Sequence, residues 1–240
     1  MMEVTYARQA LGLYIIYYYV TLLPDFSFFY PAQLMWVALL VLIGLAALLT
    51  VGRLNRWLVF FLFLLNLVFH HACPFIIHEP QQLMSLFLLL FVFFLPPQNC
   101  EKADPWIVKA LVLALGIYYM TAGVKKMLDP HWLSGQALGE LLRWEGLARS
   151  NALVAFLKQQ DFLSKTLNYV TLGFELCFLP LVFTRAWKVL LVVGIGFHLM
   201  IAATMEVGTF SAIMMVWYLL LVRKTSVKNQ NGIYWADNSS

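Results

Sequence analysis

The chain consists of long apolar runs joined by short polar connections. A helix that crosses a bilayer needs roughly 20 apolar residues to span about 30 Å of hydrocarbon. The pattern predicts spans over residues 7–24, 33–51, 57–72, 81–97, 106–127, 163–184, 187–205 and 207–222. The third and fourth segments are short, but they are apolar on all sides, which is typical of helices that face lipid. We therefore expect an all-α fold, a polytopic transmembrane helix bundle with about eight spans.

The connection between the fifth and sixth spans differs from the others. It begins in the stretch YYMTAGVKKMLDPHWLSGQAL, residues 118–138, where an apolar helix runs into two lysines and an Asp-Pro break. Residues 131–160 then alternate apolar and polar positions at helical spacing. This pattern predicts an amphipathic segment that lies in the membrane interface. The expected organisation is a membrane domain over 1–222, which includes this segment, followed by a polar tail over 223–240.

Composition and charge support a membrane location. Of the 240 residues, 62% are hydrophobic and only 12% are charged, which exceeds the apolar content of soluble domains. If the connections alternate sides, one side collects Arg8, Arg53, Arg56, Lys102, Lys109, Arg185, Lys188, Arg223, Lys224 and Lys228. By the positive-inside rule both termini are cytoplasmic and the amphipathic segment lies outside. We expect a bacterial cytoplasmic membrane protein that binds no nucleic acid.

The cysteines and histidines do not predict a metal site. Cys73, Cys100 and Cys177 fall on the outer side, on the inner side and within a span, so neither a disulfide nor a metal-binding spacing is expected. His70 and His71 are adjacent on a helix and point about 100° apart, which makes them a weak metal pair.

The two lysines that end the fifth span have two interpretations. In one, Lys125 and Lys126 extend to the lipid headgroups, as lysines at helix ends commonly do. In the other, one of them turns inward beneath the amphipathic segment, loses its hydration and acts as a base or nucleophile. The surrounding residues decide between these interpretations.

Further ionisable residues fall within or beside the predicted spans. Glu175 lies near the middle of the sixth span, His198 in the seventh, and Glu206 in the following turn. Charged side chains in hydrocarbon usually face a bundle interior or a cavity. Glu175 is either a protonated carboxyl that bonds a neighbouring helix or a functional group. His198 is either a hydrogen-bonded packing residue or part of a site.

Two stretches resemble the signatures of the HTTM family, the membrane domain shared with vitamin-K-dependent γ-glutamyl carboxylase. In TAGVKKMLDPHWLSGQALGELLR, a small-residue run with a lysine precedes a Trp, a Gly and an Ala-Leu pair. In FHLMIAATMEVGTFSAIMM, a His is followed ten residues later by a Gly and then by Phe-Ser. LGFELCFLP is a weaker match, at a place where the family also carries an intramembrane acid.

The resemblance implies a pocket open to the outer leaflet that takes a reduced quinone, similar to vitamin K, without a metal. In the carboxylase a lysine deprotonates the reduced vitamin, which oxygen turns into a stronger base that acts on a peptide glutamate before carbon dioxide adds. The resemblance places the catalytic residues at Lys126, with Lys125 as a substitute, and at His198. The other residues that it places in the pocket, or that we expect there, are His71 (or His70), Trp132, Arg143, Glu175 and Glu206.

Two functions of different classes follow. The first is a carboxylase-like, lyase-type membrane enzyme that uses Lys126 as a base on a quinol or another lipid-like substrate. The second is a non-catalytic maturation factor or partner for a secreted peptide. The carboxylase continues into a large outer domain, and here the eighth span precedes a polar tail, so we expect a second membrane or extracytoplasmic chain if a protein is the substrate. A transporter is disfavoured because no pair of Gly/Pro-broken spans repeats.

Overall fold

The computed structural model describes residues 2–23, 33–52, 55–72, 79–94 and 105–218. Helices account for most of these ranges, and the β-structure within them is one isolated bridge between Ala148 and Met205. The predicted all-α fold is therefore confirmed. Cys73, Cys100 and the tail over 223–240 lie outside the described residues. Cys177 is a free, exposed thiol.

A first unit comprises Met1–Val108 together with the residues from Val216 onward. It contains α1 (Met2–Thr21), α2 (Gln33–Thr50), α3 (Arg56–Ala72) and α4 (Glu79–Phe94). Successive helices in this series pack against each other. Buried polar groups link three of them: Tyr19 donates to Asn66 Oδ1 at 2.8 Å, and Asn66 Nδ2 donates to Ser85 Oγ at 2.7 Å. These bonds satisfy side chains that no water reaches.

A second unit comprises Lys109–Met215. It contains most of α5 (Pro105–Met127), then α6 (Pro130–Leu133), α7 (Ala137–Arg143), α8 (Ala152–Gln159), α9 (Asp161–Val182), α10 (Trp187–Thr204) and most of α11 (208–218). Side-chain caps start two of the short helices. Asp129 accepts from the His131 amide and Asn151 from the Val154 amide, so each satisfies a first-turn N–H.

Helix α9 is central to the second unit, since α6, α7, α8 and α10 all pack against it. Helix α5 also approaches it closely at two glycines. A methyl group at Gly123 would lie 3.0 Å from Leu176 Cγ and 3.2 Å from Glu175 Cβ, and one at Gly116 would lie 2.5 Å from Leu179 Cδ1. Small residues allow two helix backbones to come together in this way.

The helices coincide with the predicted apolar segments to within a few residues, and α6, α7 and α8 occupy the predicted amphipathic segment. Within the described ranges, two helical stretches are long and apolar enough to cross a membrane, Lys109–Met127 and Trp187–Thr204. Met35–Thr50, Arg56–His71 and Gln82–Phe93 are apolar but shorter. The number of eight spans therefore stays a prediction.

Candidate functional site

Lys126 and Glu175 form an ion pair between α5 and α9. The Lys126 amine donates to both carboxylate oxygens, at 2.6 Å to Oε1 and 2.7 Å to Oε2. The exposed fraction is 23% for the lysine side chain and 7% for the glutamate side chain. Gly123, three residues before Lys126, leaves room for Glu175 beside α5, since a methyl group on it would lie 3.2 Å from Glu175 Cβ. Lys126 is therefore partly buried against α9, and its role as a base stays a prediction.

Trp132 contacts the same amine from another direction. The Lys126 Nζ lies 5.0 Å from the centroid of the indole ring, within the range of a cation–π interaction. Trp132 belongs to α6, a helix of four residues that follows the Asp129 cap and begins with Pro130. Gly135 then reverses the chain with φ of +79°, a left-handed conformation that other residues adopt at a cost. The turn of residues 129–138 therefore positions the Trp132 indole ring beside the end of α5.

Two consecutive residues of α9 hold this turn by hydrogen bonds to its backbone. Asn168 donates to the Trp132 carbonyl at 2.8 Å and accepts from the Leu138 amide at 3.3 Å. Tyr169 donates to the Leu133 carbonyl at 2.9 Å. Neither residue was predicted from the sequence, because an Asn-Tyr pair in an apolar helix belongs to no motif that would single it out.

Tyr119 and His198 form a second, fully buried polar pair. The Tyr119 hydroxyl lies 2.6 Å from His198 Nε2, and the two residues are 2% and 0% exposed. Tyr119 stands seven residues before Lys126, on the same face of α5 and about 10 Å deeper along the helix. The rings that contact this pair are Phe174, Phe178, Phe197 and Phe210. His198 is therefore bonded to Tyr119, whereas Lys126 is bonded to Glu175.

The chain after α7 is fastened to the turn between α10 and α11. The Arg149 amide donates to the Thr204 carbonyl at 2.9 Å, and the Glu206 amide donates to the Leu147 carbonyl at 2.7 Å. The Arg149 guanidinium also lies 3.5 Å from the Glu206 carboxylate, with both side chains partly exposed. Glu206, predicted to be a pocket residue, thus holds residues 147–149 against the turn between α10 and α11.

The remaining predicted site residues are at least partly exposed. Lys125 is exposed at the end of α5, and Arg143 is exposed and 3.5 Å from Asp161. His71 is exposed in the first unit, where its Nδ1 lies 2.9 Å from the Leu67 carbonyl, and His70 beside it is partly buried. Roles for these residues stay predictions. Within the described ranges, no group of three metal-binding side chains occurs.

The Lys126–Glu175 contact brings an amine and a carboxyl group to within 2.6 Å of each other. Because charges removed from water are costly, each of these groups offsets the charge of the other between the two helices.

Comparison with known proteins gives one family match. The family model described as the HTTM domain matches residues 24–225, a range that includes Lys126, Glu175 and His198. No curated protein matches the chain, and no solved structure matches it.

Proposed function

This chain belongs to the HTTM domain family, and we propose that it is a multi-pass membrane enzyme in which Lys126 acts as a base. Its substrate would be a lipid-soluble molecule with a weakly acidic hydroxyl, such as a reduced quinone. The family match and the apolar stretches Lys109–Met127 and Trp187–Thr204 support membrane association. The distribution of positive charges supports a site at the outer leaflet and cytoplasmic termini.

The observation that carries the proposal is the contact of Lys126 Nζ with both oxygens of Glu175 at 2.6 and 2.7 Å. Only a neutral amine accepts a proton. Glu175 is the group that takes the proton from the ammonium, because both its oxygens already face Nζ. Lys126 then accepts the hydroxyl proton of the substrate and carries the charge that opposes the resulting anion. Glu175 keeps the proton that it took, so the step turns an ammonium, a carboxylate and a neutral hydroxyl group into an ammonium, a carboxylic acid and an anion.

The residues around the amine suit a flat ring. The Trp132 indole, 5.0 Å from Nζ, offers an apolar aromatic face directly beside the base. Val124 and Met127 on the last turn of α5 are each 45% exposed and add apolar surface near it. A reduced quinone, when bound, would supply an acidic hydroxyl on an electron-rich ring. An amine beside an indole face fits both its hydroxyl and its ring.

The amphipathic segment and the start of α9 are suited to a lipid interface. Trp144 and Phe156 in the segment and Phe162 on α9 are 63%, 52% and 85% exposed, although each is large and hydrophobic. The Trp144 indole, which has a polar N–H, favours the headgroup region, and the phenyl rings favour the hydrocarbon beside it. A substrate dissolved in the bilayer would then reach Lys126 from the hydrocarbon beneath this segment.

The decisive experiment follows the protonation of a bound ring directly. The full chain is purified in mild detergent, and reduced menadione is added without oxygen at a pH where the free molecule is neutral. We expect the absorption of the phenolate to appear with the wild-type protein and with Lys125→Met, and to be lost with Lys126→Met. Equal phenolate absorption in both lysine variants would remove Lys126 as the base. Mass spectrometry of lipids that co-purify with the protein would identify the natural ring.

The exposed aromatic residues also favour the second function, a maturation factor for a secreted peptide. A surface of this kind can bind an apolar peptide segment as well as lipid. Under this hypothesis, Lys126→Met would leave peptide maturation unchanged. Replacement of Trp144 and Phe156 by serine would abolish peptide maturation. Both residues lie in the amphipathic segment of residues 131–160, which includes Leu138 to Leu147. The opposite pattern would favour the enzyme.

A further inference from the structure

We infer that Asn168 is a positioning residue that keeps the indole of Trp132 against Lys126. The hydrogen bonds that support this inference do not depend on any substrate. Its importance for catalysis rests on the proposed function, since it concerns the protection of the same amine from water.

Asn168 is buried at the point where it bridges both ends of the turn. It is 0% exposed and lies on α9, seven residues before Glu175. Its Nδ2 donates to the carbonyl of Trp132 itself at 2.8 Å. Its Oδ1 accepts from the Leu138 amide at 3.3 Å. One side chain therefore fixes the position where the indole leaves the backbone and the position where α7 begins.

An amide is the group that this geometry requires. The Leu138 amide lies in the first turn of α7, where backbone N–H groups have no acceptor within the helix. The Trp132 carbonyl requires a donor at the same place. An aspartate could accept from Leu138 but could not donate to Trp132, and its charge would repel that carbonyl oxygen. A leucine could do neither, so the turn would lose its buried attachment to α9.

Tyr169 supports the turn from its exposed side. Its hydroxyl donates to the Leu133 carbonyl at 2.9 Å, and its ring would lie 3.1 Å from a methyl group at Gly135. Tyr169 is 49% exposed, so solvent or lipid headgroups compete for its hydrogen bond. The buried bonds of Asn168 are therefore the ones that determine where Trp132 lies.

The consequence concerns the lysine amine. Glu175 covers Nζ on one side, and the Trp132 ring lies 5.0 Å from it on another. If the turn moves, the indole withdraws and water reaches the amine. Asn168 would then change how fast a reagent in water reaches Lys126, while leaving the Lys126–Glu175 contact itself possible.

The test labels lysines in the full chain in detergent with a short pulse of acetic anhydride, followed by mass spectrometry of the peptides. We expect Asn168→Asp to raise the acetylation of Lys126 about fivefold, since one lost hydrogen bond of about 1 kcal/mol corresponds to that ratio. Exposed Lys125 and Lys165 serve as internal references and should not change. Subtracting the fluorescence of a Trp132→Phe form from that of its parent isolates the emission of Trp132. In Asn168→Asp this emission should lie at longer wavelength than in the wild type.

Unchanged acetylation of Lys126 in folded Asn168→Asp would overturn the inference. So would a rise of the same size at Lys125 or Lys165, because the effect would then not be specific to the Lys126 amine. If Asn168→Asp does not fold, Trp132→Leu removes the ring directly. It should expose Lys126 by a similar ratio, and no increase there would also refute the inference. These measurements need no substrate, so their failure is distinct from a failure to deprotonate reduced menadione.

Discussion

Lys126 and Glu175 stand 49 residues apart in the chain, and the amine of the first donates to both carboxylate oxygens of the second, at 2.6 and 2.7 Å. Each side chain therefore supplies the counter-charge or the proton that the other lacks in an apolar surrounding. Neither would be stable at its position alone. The pair explains how two of the predicted site residues are accommodated between apolar helices.

The first prediction concerns the coupling within this pair. Lys126→Met should lower the free energy of unfolding by about 1–3 kcal/mol, because it leaves a buried carboxyl without its donor. Glu175→Leu should cost a similar amount. The double variant should lose less free energy of unfolding than the sum of the two single losses. Thermal unfolding in detergent measures all three losses. Additive losses would mean that the contact contributes no coupling energy.

The second prediction concerns the crossing of α5 and α9. Gly123→Ala should destabilise the protein by about 1–3 kcal/mol, because the methyl group would press on Leu176 and on Glu175 Cβ. It should also raise the acetylation of Lys126 by moving α9 away. Gly173→Ala is the matched control on α9, since a methyl group there meets no atom within 4 Å. Because alanine favours a helix more than glycine does, the Gly173→Ala control should raise the free energy of unfolding by up to about 1 kcal/mol.

The third prediction concerns the turn that carries Trp132. Gly135 has φ of +79°, so Gly135→Ala should cost about 1–2 kcal/mol in backbone strain and also crowd the Tyr169 ring. Chemical denaturation would measure the loss. Gly146→Ala, whose methyl group would be 3.4 Å from its nearest neighbour, should stay within about 0.5 kcal/mol of wild type. Equal effects of the two substitutions would contradict the role assigned to Gly135.

The fourth prediction concerns the buried pair of Tyr119 and His198. Tyr119→Phe keeps the ring among Phe174 and Phe178 but removes the hydroxyl 2.6 Å from His198 Nε2. The free energy of unfolding should fall by about 1–2 kcal/mol, because a buried polar atom loses a hydrogen bond. Tyr17→Phe, at a residue 47% exposed, should have little effect. If Tyr119→Phe still gave the phenolate absorption of reduced menadione, the Tyr119–His198 pair would be structural and not catalytic.

The order and extent of the helices could be predicted from the sequence because they depend on local properties. Runs of apolar residues longer than a turn, ended by residues such as Asp129 and Pro130, favour helices wherever the rest of the chain lies. The amphipathic spacing of 131–160 likewise predicted the short helices α7 and α8. Lys126, Glu175 and Trp132 were predicted as members of one site, from motif positions and from the cost of charge in an apolar surrounding.

The partners of those residues could not be predicted in the same way. His198 was predicted as a catalytic residue together with Lys126, a role that stays a prediction, and its contact with Tyr119 was not predicted because that tyrosine belongs to no motif. Asn168 was missed because its importance depends on facing the Trp132 carbonyl, 36 residues earlier in the chain. Such contacts depend on the rotation of each helix about its axis to within a fraction of a turn.

The sequence alone determined where the chain is helical, which segment is amphipathic, and which ionisable residues fall among apolar ones, since each property depends on neighbours within a few positions. Only the tertiary structure decided that Glu175 receives Lys126 and that Asn168 holds Trp132. The physical reason is the close approach of α5 and α9 at Gly116 and Gly123, because the distance and rotation between two packed helices select which side chains meet.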